Sequence, residues 1–219
     1  MHGVRLSLLC ALLIMSPMIP ASQAASSRNH WVSDLRWGGY VIVFRHGATA
    51  SDEPDAMSNP KADPMSSAAS GKSAAGERQL SDAGRAQARA IGNSLRKLGI
   101  PVGVVLTSPL QRAVDTGLLM AFGEVTVVPD LAEAGPALSP EENDRHAQAL
   151  RTLVAMPPPA DDNLVIVSHK PNIVDAFGKD FSDLREGEAA VFEPDKQGGF
   201  KLLVRVQAEE WARLSPVSD

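Results

Sequence analysis

Cysteine is nearly missing from this chain, with Cys10 alone among 219 residues. One thiol closes no internal disulfide framework and builds no thiolate zinc site. A dominant charge is missing too: 21 Lys and Arg stand against 26 Asp and Glu, a formal net charge of -5. That balance excludes a nucleic-acid binder that works by neutralising phosphates. The apolar run from Leu6 to Met15 is too short to span a bilayer, which takes about 20 residues. No internal repeat and no dividing linker is visible. What remains, 44% apolar and 21% charged, is an ordinary globular composition long enough to bury a core as one domain.

Met1 to Ala24 reads as an export signal. It joins one basic residue, Arg5, to the apolar run, then helix-breaking Pro17 and Pro20, then Ser22-Gln23-Ala24 in the small-x-small form that signal peptidase accepts. Cleavage after Ala24 is expected to release a periplasmic or secreted protein with no stable membrane insertion. The mature chain keeps 195 residues, has a net charge of -6 and loses Cys10. A cysteine-free protein is indifferent to an oxidising compartment and cannot use a thiolate nucleophile. Residues 25–38 form a lead-in, and 39–219 the domain.

The mature chain alternates strand and helix patterns. Tyr40–Phe44 is a continuous apolar, β-branched run, as for a strand buried on both faces. Asp52–Gly76 has no period and reads as a long loop. Gly84, Ala88, Ile91, Leu95 and Leu98 share one face of a helix over Ser81–Leu98, with Ser81 as N-cap and Gly99 as its end. The pattern then predicts a strand at Val102–Thr107 and a helix at Pro109–Phe122 with Pro109 in the first helical position. A strand at Val125–Val128 and a helix at Glu141–Met156 follow. After them come a strand at Leu164–Val167, a short helix from Pro171, and strands at Ala189–Phe192 and Phe200–Val206. This order predicts an α/β fold, a three-layer αβα sandwich with a mostly parallel, doubly wound sheet.

In such sheets ligands bind beyond the carboxyl ends of the strands. Three of these ends carry chemistry: Arg45-His46-Gly47, Thr107-Ser108-Pro109 followed by Arg112, and Ser168-His169-Lys170. Singly, each has a plain reading as a turn, a solvated helix charge or a capping residue. Together, two arginines, two imidazoles and helix N-termini suit a phosphate. His30 and His146 lie apart and read as surface residues, so no metal-ligand cluster is expected. Lys61, Lys72, Arg78 and Lys170 could meet an anionic substrate near the rim, but read more simply as solvated surface charge.

These residues resemble the histidine phosphatase (phosphoglycerate-mutase-like) superfamily, as a small exported member. The resemblance rests on Val41-Ile-Val-Phe-Arg-His-Gly47, Leu80-Ser-Asp-Ala-Gly-Arg-Ala-Gln-Ala88, Ser108-Pro-Leu-Gln-Arg-Ala-Val-Asp-Thr116 and Val165-Ile-Val-Ser-His169, all in family order. It implies a phosphoric monoester hydrolase that needs no metal or other cofactor and forms a phosphohistidine on His46. Arg45, Gly47, Arg112 and His169 would bind the phosphoryl group of a small phosphorylated substrate. It implies a glutamate as general acid, for which Glu133 in Leu131-Ala-Glu133 is the first candidate and Glu188 the competing one. The loop at 52–76 lacks the Asn-rich signature of glycolytic mutases, and the stretch between Leu131 and Glu141 is too short for a large cap. An open, hydrolytic site is therefore expected, with exported phosphate esters as substrates, among them lipopolysaccharide core sugar phosphates by family analogy. A phosphomutase and a non-catalytic module that binds phospho-ligands are the alternatives.

Overall fold

The computed structural model describes residues 30–50, 77–133, 138–159, 161–195 and 197–214. The expected signal and its cleavage site, the loop Asp52–Gly76 with Lys61 and Lys72, and residues 134–137 lie outside the described residues.

Strand β1 (Val41–Arg45) has Val41 to Phe44 all at 1% exposure or less. Such a strand must be covered on both faces, so helices have to flank the sheet on either side. Strands β2 (Val102–Thr107), β3 (Val125–Val127), β4 (Asn163–Ser168), β5 (Ala189–Pro194) and β6 (Phe200–Val206) complete a six-stranded sheet in the order β3-β2-β4-β1-β5-β6. The pairs β3-β2, β2-β4 and β4-β1 are parallel, whereas β5 and β6 run antiparallel as a closing hairpin. The sheet is mostly parallel, as its sequence pattern predicts.

Alternate side chains sort between two cores. Ile42, Phe44, Val165, Val167, Ala189 and Val191 face α1 (His30–Leu35), α2 (Asp82–Lys97) and α3 (Gln111–Met120). Val41, Val43, Leu164, Ile166, Ala190 and Phe192 face α4 (Pro140–Ala155) and α5 (Lys170–Phe177). Helix α1 falls in the lead-in, where the sequence pattern shows no element, and buries Val32 and Leu35 completely.

The helix ends follow local chemistry. Ser81 caps α2 by accepting the Gly84 N–H, and Ser139 with Glu142 forms a reciprocal capping box on α4. Pro109 does not occupy the first position of α3, contrary to its sequence signature. Ser108 Oγ accepts the Leu110 N–H at 3.2 Å, which holds the segment extended until Gln111. The same helix stops at Met120 because Ala121 takes a left-handed φ of 59°.

Register brings the chemistry to one edge. Arg45 stands opposite Ser168, and Thr107 opposite Val167, so β1, β2 and β4 finish within a residue of one another. The residues that follow, His46, Ser108 and His169, therefore share one rim.

Candidate active site

The turn after β1 is held from several sides. His46 N donates to Ser168 O at 3.1 Å, Gly47 N to Thr116 Oγ1 at 3.0 Å, and Ala48 N to Gln87 Oε1 at 3.1 Å. A side chain at Gly84 would place its Cβ 1.9 Å from Ala48 O, which is why that helix position must be glycine.

His46 is 2% exposed, and its ring is fixed by two contacts. Nδ1 lies 2.8 Å from Gly47 O. A carbonyl only accepts, so Nδ1 carries the proton. The lone pair is left on Nε2, where Arg112 Nε–H donates to it at 3.3 Å. Burial, then the charges of Arg112, Arg45 and Arg78, push the imidazole pKa down to about 3. The ring is a neutral base with its free electron pair turned toward a guanidinium.

Arg112 is 1% exposed, and each nitrogen of its fork has a partner. Nε serves His46, Nη2 pairs with the Glu133 carboxylate, and Nη1 lies 3.7 Å from the Glu77 carboxylate. Glu133 thus reaches the site through Arg112. Glu77, three residues ahead of the Leu80-Ser motif, was not singled out in the sequence, where nothing marks an isolated glutamate next to a loop.

His169 follows β4 at the N-terminus of α5 and is fully buried. Its Nε2 lies 2.7 Å from Ser108 Oγ, and its ring centroid is 5.2 Å from that of His46. Burial, reinforced by Arg112, His46 and Arg45, holds its pKa well below the usual histidine range. Arg45 donates from Nη1 to Leu184 O at 2.8 Å and from Nη2 to Glu186 Oε1 at 3.3 Å. Glu186 also accepts from Thr49 Oγ1 at 2.8 Å, so it braces Arg45 against the turn. Arg78 is no remote surface charge, since its field lowers the pKa of both histidines.

Two further sequence expectations need correction. Glu188 is not at this site. Its backbone oxygen accepts the Arg45 N–H, but its carboxylate, 4% exposed, takes Arg205 Nε at 2.7 Å, Arg205 Nη2 at 2.6 Å and the Arg185 N–H at 2.9 Å. Glu188 stands one residue ahead of β5, and its partner Arg205 lies on β6. Glu188→Gln is expected to cost about 2–3 kcal/mol of stability in urea unfolding while leaving kcat/KM within about twofold. An activity loss above tenfold would return Glu188 to the chemistry. His146 is also no surface residue: it is 6% exposed on the inner face of α4, with its pKa lowered by burial.

Among the described residues, no group of three or more His, Cys, Asp or Glu could hold a metal ion, and no helix is long and apolar enough to cross a membrane.

Residues 41–142 match the family model of the histidine phosphatase superfamily (branch 1). The fold is shared with the protein histidine phosphatase SixA complexed with tungstate, at a TM-score of 0.52 and 20% identity over 78% of this chain and 98% of that one. It is also shared with a mycobacterial glucosyl-3-phosphoglycerate phosphatase in complex with VO3, at a TM-score of 0.51 and 19% identity over 76% and 98%. No curated protein matches the chain.

Proposed function

We propose that the chain, whose residues 41–142 match the family model of the histidine phosphatase superfamily, is a metal-independent phosphomonoesterase with His46 as nucleophile. The observation that carries this reading is the protonation pattern of His46: Nδ1–H committed to Gly47 O, and the Nε2 lone pair beside Arg112. A histidine that merely recognised phosphate would present an N–H in that direction.

In the first step Nε2 attacks phosphorus in line. As the phosphate ester enters, its oxygens replace Glu133 on Arg112, and the ester monoanion passes its proton to the released carboxylate. The N–P bond then forms as the ester P–O bond breaks, and Glu133 gives that proton to the departing oxygen. In the second, water attacks the phosphohistidine, Glu133 takes the water proton, and phosphate leaves with His46 neutral again. Arg45, Arg112 and His169 hold the non-bridging oxygens, the main lever available in phosphoryl transfer. The oxoanions named with the two similar structures, tungstate and VO3, support a pocket for a phosphate-like group in this fold. The export signal directs the activity to phosphate esters outside the cytoplasm, and sugar phosphates of the lipopolysaccharide core belong to that class.

The test is to trap the intermediate. Mature protein mixed with a 32P-labelled aryl phosphate and quenched in alkali, where phosphoramidates survive, is expected to carry label on the peptide containing His46. Phosphate release is expected to be insensitive to chelators. Label without turnover would mean a retired enzyme. Transfer to a second substrate hydroxyl that outpaces transfer to water would mean a mutase.

A further inference from the structure

His169 offers the phosphoryl group one of two ring nitrogens, and Ser108 determines which. Both residues are fully buried, and His169 Nε2 lies 2.7 Å from Ser108 Oγ. That oxygen already accepts the Leu110 N–H at 3.2 Å, so what it still has to place is its own proton. Suppose Nε2 carried the imidazole proton. It would donate to Ser108 Oγ, and the serine proton would be sealed in the interior, because no second acceptor reaches that oxygen among the described residues. With the proton on Nδ1 instead, the serine hydroxyl donates to Nε2, and every polar atom of Ser108 is paired.

Each arrangement holds two hydrogen bonds, but the first strands both the serine proton and the Nδ1 lone pair in a site without water, at about 1 kcal/mol or more for each unpaired group, and the second strands fewer. It leaves a single orphan. Nδ1 of His169 is buried and has no partner among the described residues. An unpaired buried donor costs about 1–3 kcal/mol unless a ligand supplies the acceptor. Its ring lies 5.2 Å from that of His46, where a phosphoryl oxygen would come to rest.

We propose that Ser108 is a positioning residue that donates to His169 Nε2, locks the Nδ1–H tautomer, and so presents Nδ1–H to the phosphoryl oxygen. The low basicity of His169, set by burial and the neighbouring arginines, keeps the ring at one proton, so tautomer alone decides what it offers. The tautomer stands independently of any reaction. Its catalytic consequence rests on the phosphatase reading.

The experiment is 15N-edited NMR on the full chain with ring-labelled histidine, with His169 assigned by the signals lost in His169→Asn. Wild type is expected to show a pyrrole-type Nδ1 and a pyridine-type Nε2 at His169. Ser108→Ala is expected to mix the two tautomers and lower kcat about 100-fold, the loss typical of one misplaced transition-state donor, with KM changed by less than about threefold. Ser108→Thr, which keeps the hydroxyl, is expected to restore the wild-type spectrum. A wild-type spectrum with Nε2 protonated overturns the proposal without any variant. So does an alanine variant with the tautomer or the kcat of wild type. If the protein releases no phosphate at all, the spectrum still reports the tautomer, and the failure belongs to the phosphatase reading alone.

Discussion

His46→Asn is expected to lower kcat/KM for an aryl phosphate by about 10^4-fold or more, since removing a nucleophile from a covalent mechanism leaves only binding and charge stabilisation. Asparagine keeps a polar group near the Gly47 carbonyl, so the fold should survive. The result that would sink the reading is a variant with more than about a tenth of wild-type turnover. The same substitution should change how stability depends on acidity. The imidazole has a pKa of about 3 in the folded chain and an ordinary value near 6.5 when unfolded. As pH falls through 6.5 the unfolded chain takes the proton first, so stability is full above that pH and declines below it. Between pH 6.5 and 5 the loss due to His46 alone is about 2 kcal/mol. Urea unfolding at the two pH values should therefore show a smaller decline in His46→Asn than in wild type.

Arg112→Ala is expected to remove both activity and about 3–5 kcal/mol of stability. The buried guanidinium stands between Glu77 and Glu133, and removing it takes from both carboxylates the charge that they pair with there. Catalytically, the loss of a preorganised donor beside the transferred group should cost about 10^2- to 10^3-fold in kcat. A lysine keeps the charge but not the fork, and should recover stability better than rate. Adding Glu77→Gln to the alanine variant should return part of the stability and none of the activity. An alanine variant as stable as wild type would mean that the ion triad is not a feature of the folded protein.

What could be read from the residues, and what could not, divides along a physical line. β1 and β4 were legible because a strand buried on both faces is a continuous apolar run, and α2 because its cap and its face repeat every turn. Helix α1 was not, because six residues with two inward side chains, Val32 and Leu35, are too few to display a period. His146 did leave a signal: with Leu150 and Val154 it falls at intervals of four on the apolar face of α4. The residues of the rim, His46, Arg112 and His169, follow from local motifs. Carboxylates do not. Glu186 and Glu188 are two positions apart, yet one braces Arg45 and the other is tied to Arg205. Which way each turns depends on a strand partner more than a dozen residues away, and no short window holds that information.

The placement of β1 has a kinetic consequence. It is the first strand of the sheet to be synthesised, and its partners are β4 and β5, with Val41 opposite Leu164 and Phe192. Its pairings therefore wait for most of the polypeptide to emerge, and contacts so distant in sequence form slowly. Gly187 N donates to both Arg45 O and His46 O, so even the turn bearing the nucleophile is completed by a late segment. In a chain of this topology the sheet cannot close around β1, nor the turn bearing His46 be completed, until the strands from β4 onward have been made.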